Sequence, residues 1–221
     1  MERLAVPQLD DRIRHLQELS ASRHATDPEP VGPVRDVELW RQAQWRRAIP
    51  RRFHAADLAD VTGRHGGEAG DTLGSWLRRV DERPNLLLFG PVGVGKTHAA
   101  VATVRVLHER GATVAFWPVT SLLEATSPGG QDPAGAMASA VEAEVLILDD
   151  LGAERDTEWA AERVYEVVNR RWLDAVPTVV TSNAPGPDGL QEAVGERVWS
   201  RLQHEAVALR LTGADHRRNR T

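Results

Sequence analysis

The sequence predicts an α/β fold, a P-loop NTPase whose five-stranded parallel sheet carries helices on both faces. Three observations predict it. An apolar run, Leu86 to Phe89, leads into a glycine-rich turn and then a helix. Short, continuously apolar segments alternate with helical ones down the rest of the chain, the pattern of parallel strands buried on both faces. One of these segments, Val145 to Leu148, ends in two consecutive acids, Asp149 and Asp150.

Composition sets the bounds. The chain has 221 residues, 41% of them hydrophobic, enough for one α/β core and a short N-terminal arm. It has no cysteine, which excludes disulfides, thiolate catalysis and cysteine-ligated metals and suits a reducing compartment. Met1-Glu2-Arg3-Leu4 begins no basic-then-apolar leader, and no apolar run nears about 18 residues. Neither a signal peptide nor a membrane span is expected, and a cytoplasmic location is. The net charge of −5 argues against a surface that attracts nucleic acid everywhere. Two local stretches run the other way. Arg41, Arg46, Arg47, Arg51 and Arg52 stand together without an acid, and the tail from Arg210 carries four arginines against Asp215. Single- or double-stranded DNA would meet the chain there, if these are more than solvated faces.

Taken in order, Leu9, Ile13, Leu16 and Leu19 share a helical stripe over 9–20. Residues 22–35 are rich in proline and polar groups and predict a linker. The expected division is therefore 1–35, a partner-binding helix with its linker, and 36–221, the nucleotide domain. A helix over 36–48 carries Trp40 and Trp45 and ends at Ile49-Pro50. Residues 62–71 (TGRHGGEAGD) predict a glycine-rich loop, and 72–82 a helix with Leu73, Trp76, Leu77 and Val80 inward. The strand at 86–89 and its following helix end at Gly111. A second strand is expected over 113–119, short helices over 121–126 and 134–142, and the third strand over 145–148. A helix over 157–174 turns Ala160, Val164, Val167, Val168 and Trp172 to one side. A fourth strand, 177–182, ends at Asn183; a helix near 194–203 and a fifth strand, 206–211, complete the pattern.

The chemistry starts at the turn. Gly90, Pro91, Val92, Gly93, Val94, Gly95, Lys96 and Thr97 have the spacing of a P-loop, between a strand and a helix as that motif requires. Its glycines let backbone N–H groups line an anion-binding concavity, and the helix presents its positive end. Lys96 reaches the β/γ-phosphates of ATP, and the Thr97 hydroxyl takes a place on Mg²⁺. Lys96 is also the one lysine in the chain; the other basic side chains, His aside, are arginine. A composition that uses arginine elsewhere has kept a compact ammonium where a narrow loop needs one.

Asp149, an acid at the end of a parallel strand, is expected to hold Mg²⁺ through water. Asp150 is placed to orient or deprotonate the attacking water. Asn183, ending another strand, is a candidate to hold that water or touch the γ-phosphate. Arg197 and Arg201 stand four apart on one helical face. Either they form surface ion pairs with Glu196 or Glu205, or Arg201 is an arginine finger for a neighbouring subunit.

Together these segments resemble the AAA+ helicase-loader ATPases (DnaC-like) and the similar IstB-like transposon helper ATPases. The resemblance covers about 45–217 and rests on Ile49-Pro50-Arg51-Arg52-Phe53, NLLLFGPVGVGKTHAA with its His98, VLILDDLGAE, RVYEVVNRRW, PTVVTSN and GERVWSRL. It implies an AAA+/ASCE fold, Asp149 and Asp150 as the Walker B pair, Asn183 as sensor 1 and Arg201 as a finger acting across a ring or spiral of like subunits. Arg217 resembles the second-sensor arginine. The family's partner is a replicative hexameric helicase or a transposase, and the short N-terminus favours the helicase. In relatives the segment corresponding to 120–144 touches single-stranded DNA. Here it holds Glu124, Asp132, Glu142 and Glu144 and no Lys or Arg, which opposes such contact. Two further readings compete. A small-molecule kinase would need a second substrate pocket, and a nucleotide-gated adaptor would leave Asp150 idle.

Overall fold

The computed structural model describes residues 34–80, 82, 85–153 and 157–215. The helix expected over 9–20, nearly all of the 22–35 linker, and Arg217 lie outside them. The described chain begins with α1 (Val34–Ala48), a 3₁₀ turn (Arg51–Phe53), α2 (Leu58–His65) and α3 (Gly67–Arg78). Then come β1 (Asn85–Phe89), α4 (Lys96–Glu109), β2 (Val114–Pro118), α5 (Val119–Thr126), α6 (Pro133–Glu142) and β3 (Val145–Asp149). It closes with α7 (Glu158–Leu173), β4 (Thr178–Ser182), α8 (Pro187–Val194), α9 (Glu196–Leu202) and β5 (Val207–Arg210).

The five strands are all parallel, in the order β2-β3-β4-β1-β5. Side chains alternate across the sheet. Leu86, Leu88, Ile147 and Val179 face a core shared with α1 to α4, while Leu87, Phe89, Leu146, Leu148 and Val180 face one shared with α5 to α9. With both faces covered the middle of a strand has no solvent side for an unpartnered polar group, hence the apolar runs, and the polar strand residues Asn85, Thr178, Thr181 and Ser182 are buried with hydrogen-bond partners. Helix α4 crosses the first face on Ala99, Ala100 and Ala102, all fully buried, whose small side chains let it lie close to the strands.

Three expectations are corrected. The segment 62–71 is not a loop: α2 and α3 meet at Gly66, whose φ of 85° makes the turn between them. Its glycines signalled a break that takes one residue rather than ten. On α7, Trp172 does not face inward but is 40% exposed, and its neighbour Arg171 is buried at 1% instead. Glu144 does not add to the acidic surface of 120–144. It is buried, accepting from Thr113 N at 2.6 Å and Thr113 Oγ1 at 3.0 Å, and ties the starts of β2 and β3.

Burial pulls the pKa of Arg171 down to about 9, with Asp174 opposing the shift. The guanidinium is still cationic at neutral pH and is satisfied by oxygens: Ala140 O at 3.1 Å, Val141 O at 3.0 Å, Ala143 O at 2.7 Å, Pro177 O at 2.6 Å and Thr178 Oγ1 at 3.0 Å. It ties the end of α6 to the start of β4. Arg171→Ala strips four buried acceptors and one part-buried acceptor of their donor and is expected to cost about 3–5 kcal/mol of stability, read as a shift in the urea midpoint at constant m.

Candidate nucleotide site

The strand order brings the site together. Since β4 lies between β1 and β3, Asn183 at its end stands between the loop after β1 and the acids after β3. Lys96 Nζ donates to Gly90 O at 2.8 Å, Pro91 O at 3.0 Å and Asn183 Oδ1 at 2.7 Å. The other end of that amide, Asn183 Nδ2, donates to Asp150 Oδ1. One amide therefore joins the lysine to an acid two strands away.

A second set of bonds holds Asp149. Thr97 Oγ1 donates to its Oδ1 at 2.8 Å and Thr181 Oγ1 donates to the same oxygen at 2.7 Å. Burial raises the pKa of Asp149, and the Thr181 and Thr97 bonds oppose the rise by favouring the anion. Thr181 Oγ1 also accepts from Asp150 N at 2.9 Å. Asp150 sits at φ 62°, just past the end of β3, a left-handed conformation that aspartate tolerates better than most residues.

Two glycines of the loop are there for space. A Cβ on Gly90 would fall 2.2 Å from Leu211 O, because the chain leaving β5 crosses there. A Cβ on Gly93 would fall 1.9 Å from Asp215 Oδ1. Val94 is buried beneath the loop, whereas Val92 is exposed at its tip. Helix α4 starts from Gly95 at φ 103° with no side-chain cap, so its first amides are directed into the loop. His98 is turned aside, its Nε2 3.8 Å from Asp60 Oδ2 on α2.

The cradle suits a nucleotide triphosphate with its magnesium. Loop amides and one ammonium match phosphate oxygens, and Thr97 with Asp149 offers the hydroxyl and carboxylate a hard cation takes. Thr97 and Asp149 supply two oxygen ligands, and the cation would take the rest from phosphate and water.

Arg201 is not in this cluster. It lies on α9, whose last carbonyls, Arg201 O and Leu202 O, accept from Asn85 Nδ2 at 3.1 and 3.0 Å. Asn85 begins β1, so Arg201 is placed at the end of the sheet opposite the phosphate loop. Neither expected ion pair is present: among the described residues no carboxylate lies within 4.0 Å of Arg197 or Arg201. Glu196 is taken by Gln191 at 2.7 Å.

A family model described as IstB-like ATP binding protein matches residues 71–221. The chain belongs to that family. An insertion-sequence ATP-binding protein of Mycobacterium tuberculosis is 31% identical to this IstB-like chain over 147 residues, 64% of this chain and 59% of that protein. The ATP-binding protein of insertion sequence IS1162 from Pseudomonas fluorescens is 30% identical over 184 residues, 77% of this chain and 78% of its own length. Among solved structures, the DnaC helicase loader matches with a TM-score of 0.64 at 25% identity, over 74% of this chain and all of that one. The IstB-like domain is thus a P-loop AAA+ ATP-binding fold, as its motifs predicted. No helix among the described residues is long and apolar enough to cross a membrane.

Sequence reading missed Thr181. Its hydroxyl orders both acids, but only the strand order brings β4 beside β3. A threonine one residue from the end of a buried strand was the available signal. Asp215, against Gly93, was likewise read only as one acid in a basic tail.

Proposed function

We propose that the chain is a Mg²⁺-dependent ATPase whose site is completed by a second copy, and that it loads a replicative hexameric helicase onto DNA. The observation that carries the reading is the single bonded cluster of Lys96, Asn183, Asp150, Asp149 and Thr97, with Arg201 held without an acid at the far end of the sheet. When ATP enters, Lys96 exchanges its carbonyl partners for phosphate oxygens. Thr97 and Asp149 are the residues that would hold Mg²⁺, and the ion would supply positive charge beside the phosphates. Asn183, freed from the ammonium, keeps Asp150 aimed at the attacking water, and Asp150 accepts its proton. Arg201 of a neighbouring copy supplies the positive charge this pocket lacks, an addition worth roughly 10³–10⁵ in rate.

The loader reading is supported by the DnaC structure, a helicase loader that this chain spans completely. A second reading, a transposition helper that binds DNA and recruits a transposase, is supported by the insertion-sequence relatives. In either case DNA would meet the arginines of α1 and the 3₁₀ turn; Arg46, Arg47, Arg51 and Arg52 are all exposed there. If a neighbour completes the site, specific ATPase activity rises with protein concentration before levelling. A specific activity independent of concentration points to a monomeric kinase-like enzyme instead. Pull-down with ATP present separates the partners. A replicative helicase retained by the full chain supports the loader, and retention of a transposase on long duplex DNA supports the helper.

A further inference from the structure

The segment Asn169-Arg170-Arg171-Trp172, distinctive in the sequence, has no part in the phosphate site. In the structure it lies beneath Arg201. Asn169 Oδ1 accepts from Arg201 Nε at 2.7 Å. The guanidinium lies 5.0 Å from the Tyr165 ring and 5.6 Å from the Trp172 ring. Tyr165, Asn169 and Trp172 fall at i, i+4 and i+7 on α7 and make one stripe under it. Arg201 Nη1 donates to Arg197 O and Ser200 Oγ, both at 3.0 Å, and Nη2 has no bond among the described residues. Next along the helix, buried Arg171 pins the base of this stripe to the sheet.

The chemical type of each contact matters. An aspartate at 169 would hold the guanidinium equally well and neutralise it. An amide fixes its direction and leaves its full charge. Aromatic faces likewise favour a cation without cancelling it. Trp172 is exposed on one side, which buried packing would not require, and its edge meets His204 at 6.1 Å.

We propose that Asn169, on the platform of Tyr165 and Trp172, is the positioning residue for Arg201, holding it as an un-neutralised cation for the phosphates bound by a neighbouring copy. This rests on the reading that Arg201 works across a subunit interface. Misplacing a catalytic group by about 1 Å can cost about 10²-fold. Asn169→Ala in the full chain is therefore expected to lower kcat about 10- to 100-fold, with KM for ATP within about twofold and an unchanged melting temperature. Asn169→Asp, which keeps the hydrogen bond but neutralises the charge, is expected to fall at least as far.

Subunit mixing tests whether the effect acts in trans. Asn169→Ala keeps a whole phosphate pocket, and Asp150→Asn keeps a whole finger. At equal amounts about a quarter of random interfaces pair the sound pocket with the sound finger. The mixture is expected to recover about a quarter of wild-type activity, although each variant alone has little. Failure to recover, with both variants shown to co-assemble, overturns the proposal. So does a kcat within twofold of wild type for both Asn169 variants, or a loss that appears in nucleotide affinity or melting temperature instead. Arg201→Ala identifies which idea has failed. If it leaves kcat untouched, the trans reading falls and takes this one with it; if it abolishes turnover while Asn169→Ala and Asn169→Asp do not, only the positioning role is lost.

Discussion

Asp150→Asn is expected to lower ATP turnover by about 10²–10⁴-fold, the range for losing a general base, while ATP affinity stays within about twofold. Affinity survives because Asp150 takes no part in gripping phosphate. In the proposed function the loop amides and Lys96 hold the phosphates and Thr97 with Asp149 holds the cation, and Asp149 keeps both of its threonine donors in the variant. Turnover falls because an amide cannot accept the water's proton. The substitution also changes the bond to Asn183 Nδ2, which would face a second amide in place of a carboxylate. Single-turnover hydrolysis beside a fluorescent-nucleotide titration separates the two effects. Undiminished partner loading or recruitment by this variant would identify a nucleotide-gated adaptor and remove hydrolysis from the proposed function.

Lys96→Ala is expected to weaken ATP binding by at least about 100-fold, since a hydrogen bond to a charged group contributes about 1.5–3 kcal/mol and in the proposed function this ammonium would meet more than one phosphate oxygen. Lys96→Arg should not restore it. Lys96 is only 7% exposed, and its ammonium fits between two carbonyls and an amide within 3.0 Å, a pocket shaped for a compact point charge. A planar guanidinium would have to push Asn183 aside, and Asn183 is also the contact to Asp150. Calorimetric titration with MgATP gives the affinity, and a melt without nucleotide shows that the fold persists. Affinity within about threefold of wild type for the arginine variant would overturn this account of the lone lysine.

Much of the fold was legible because burial on both faces leaves a strong mark. Runs such as Leu86 to Phe89 and Val145 to Leu148 have no surface on which a polar residue could stand. Periodicity was weaker evidence on α7. Trp172 matches the apolar stripe in both type and spacing, yet the buried position next to it belongs to Arg171, whose backbone-carbonyl partners come from α6 and the start of β4. Those acceptors are about 30 residues away in sequence or beyond the helix end, and nothing local marks them. Most of α3 was legible from Leu73, Trp76 and Leu77, but its start and the end of α2 were hidden because Gly66 and Gly67 suggest a loop, although a left-handed glycine serves equally as a tight corner. At the site, residue types and spacing identified the groups, and the strand order decided which of them touch. Thr181 carries no motif of its own, and it became visible only when β4 was seen to lie beside β3.

The buried amine of Lys96 has one more consequence. A protease that cuts only after lysine has a single target bond in all 221 residues, and that bond opens the first turn of a helix packed against the central sheet. A folded molecule resists the enzyme, and an unfolded one breaks once, into two fragments of defined size. The residue that marks the nucleotide pocket thus also gives the protein a one-cut, label-free gauge of how often its centre comes apart.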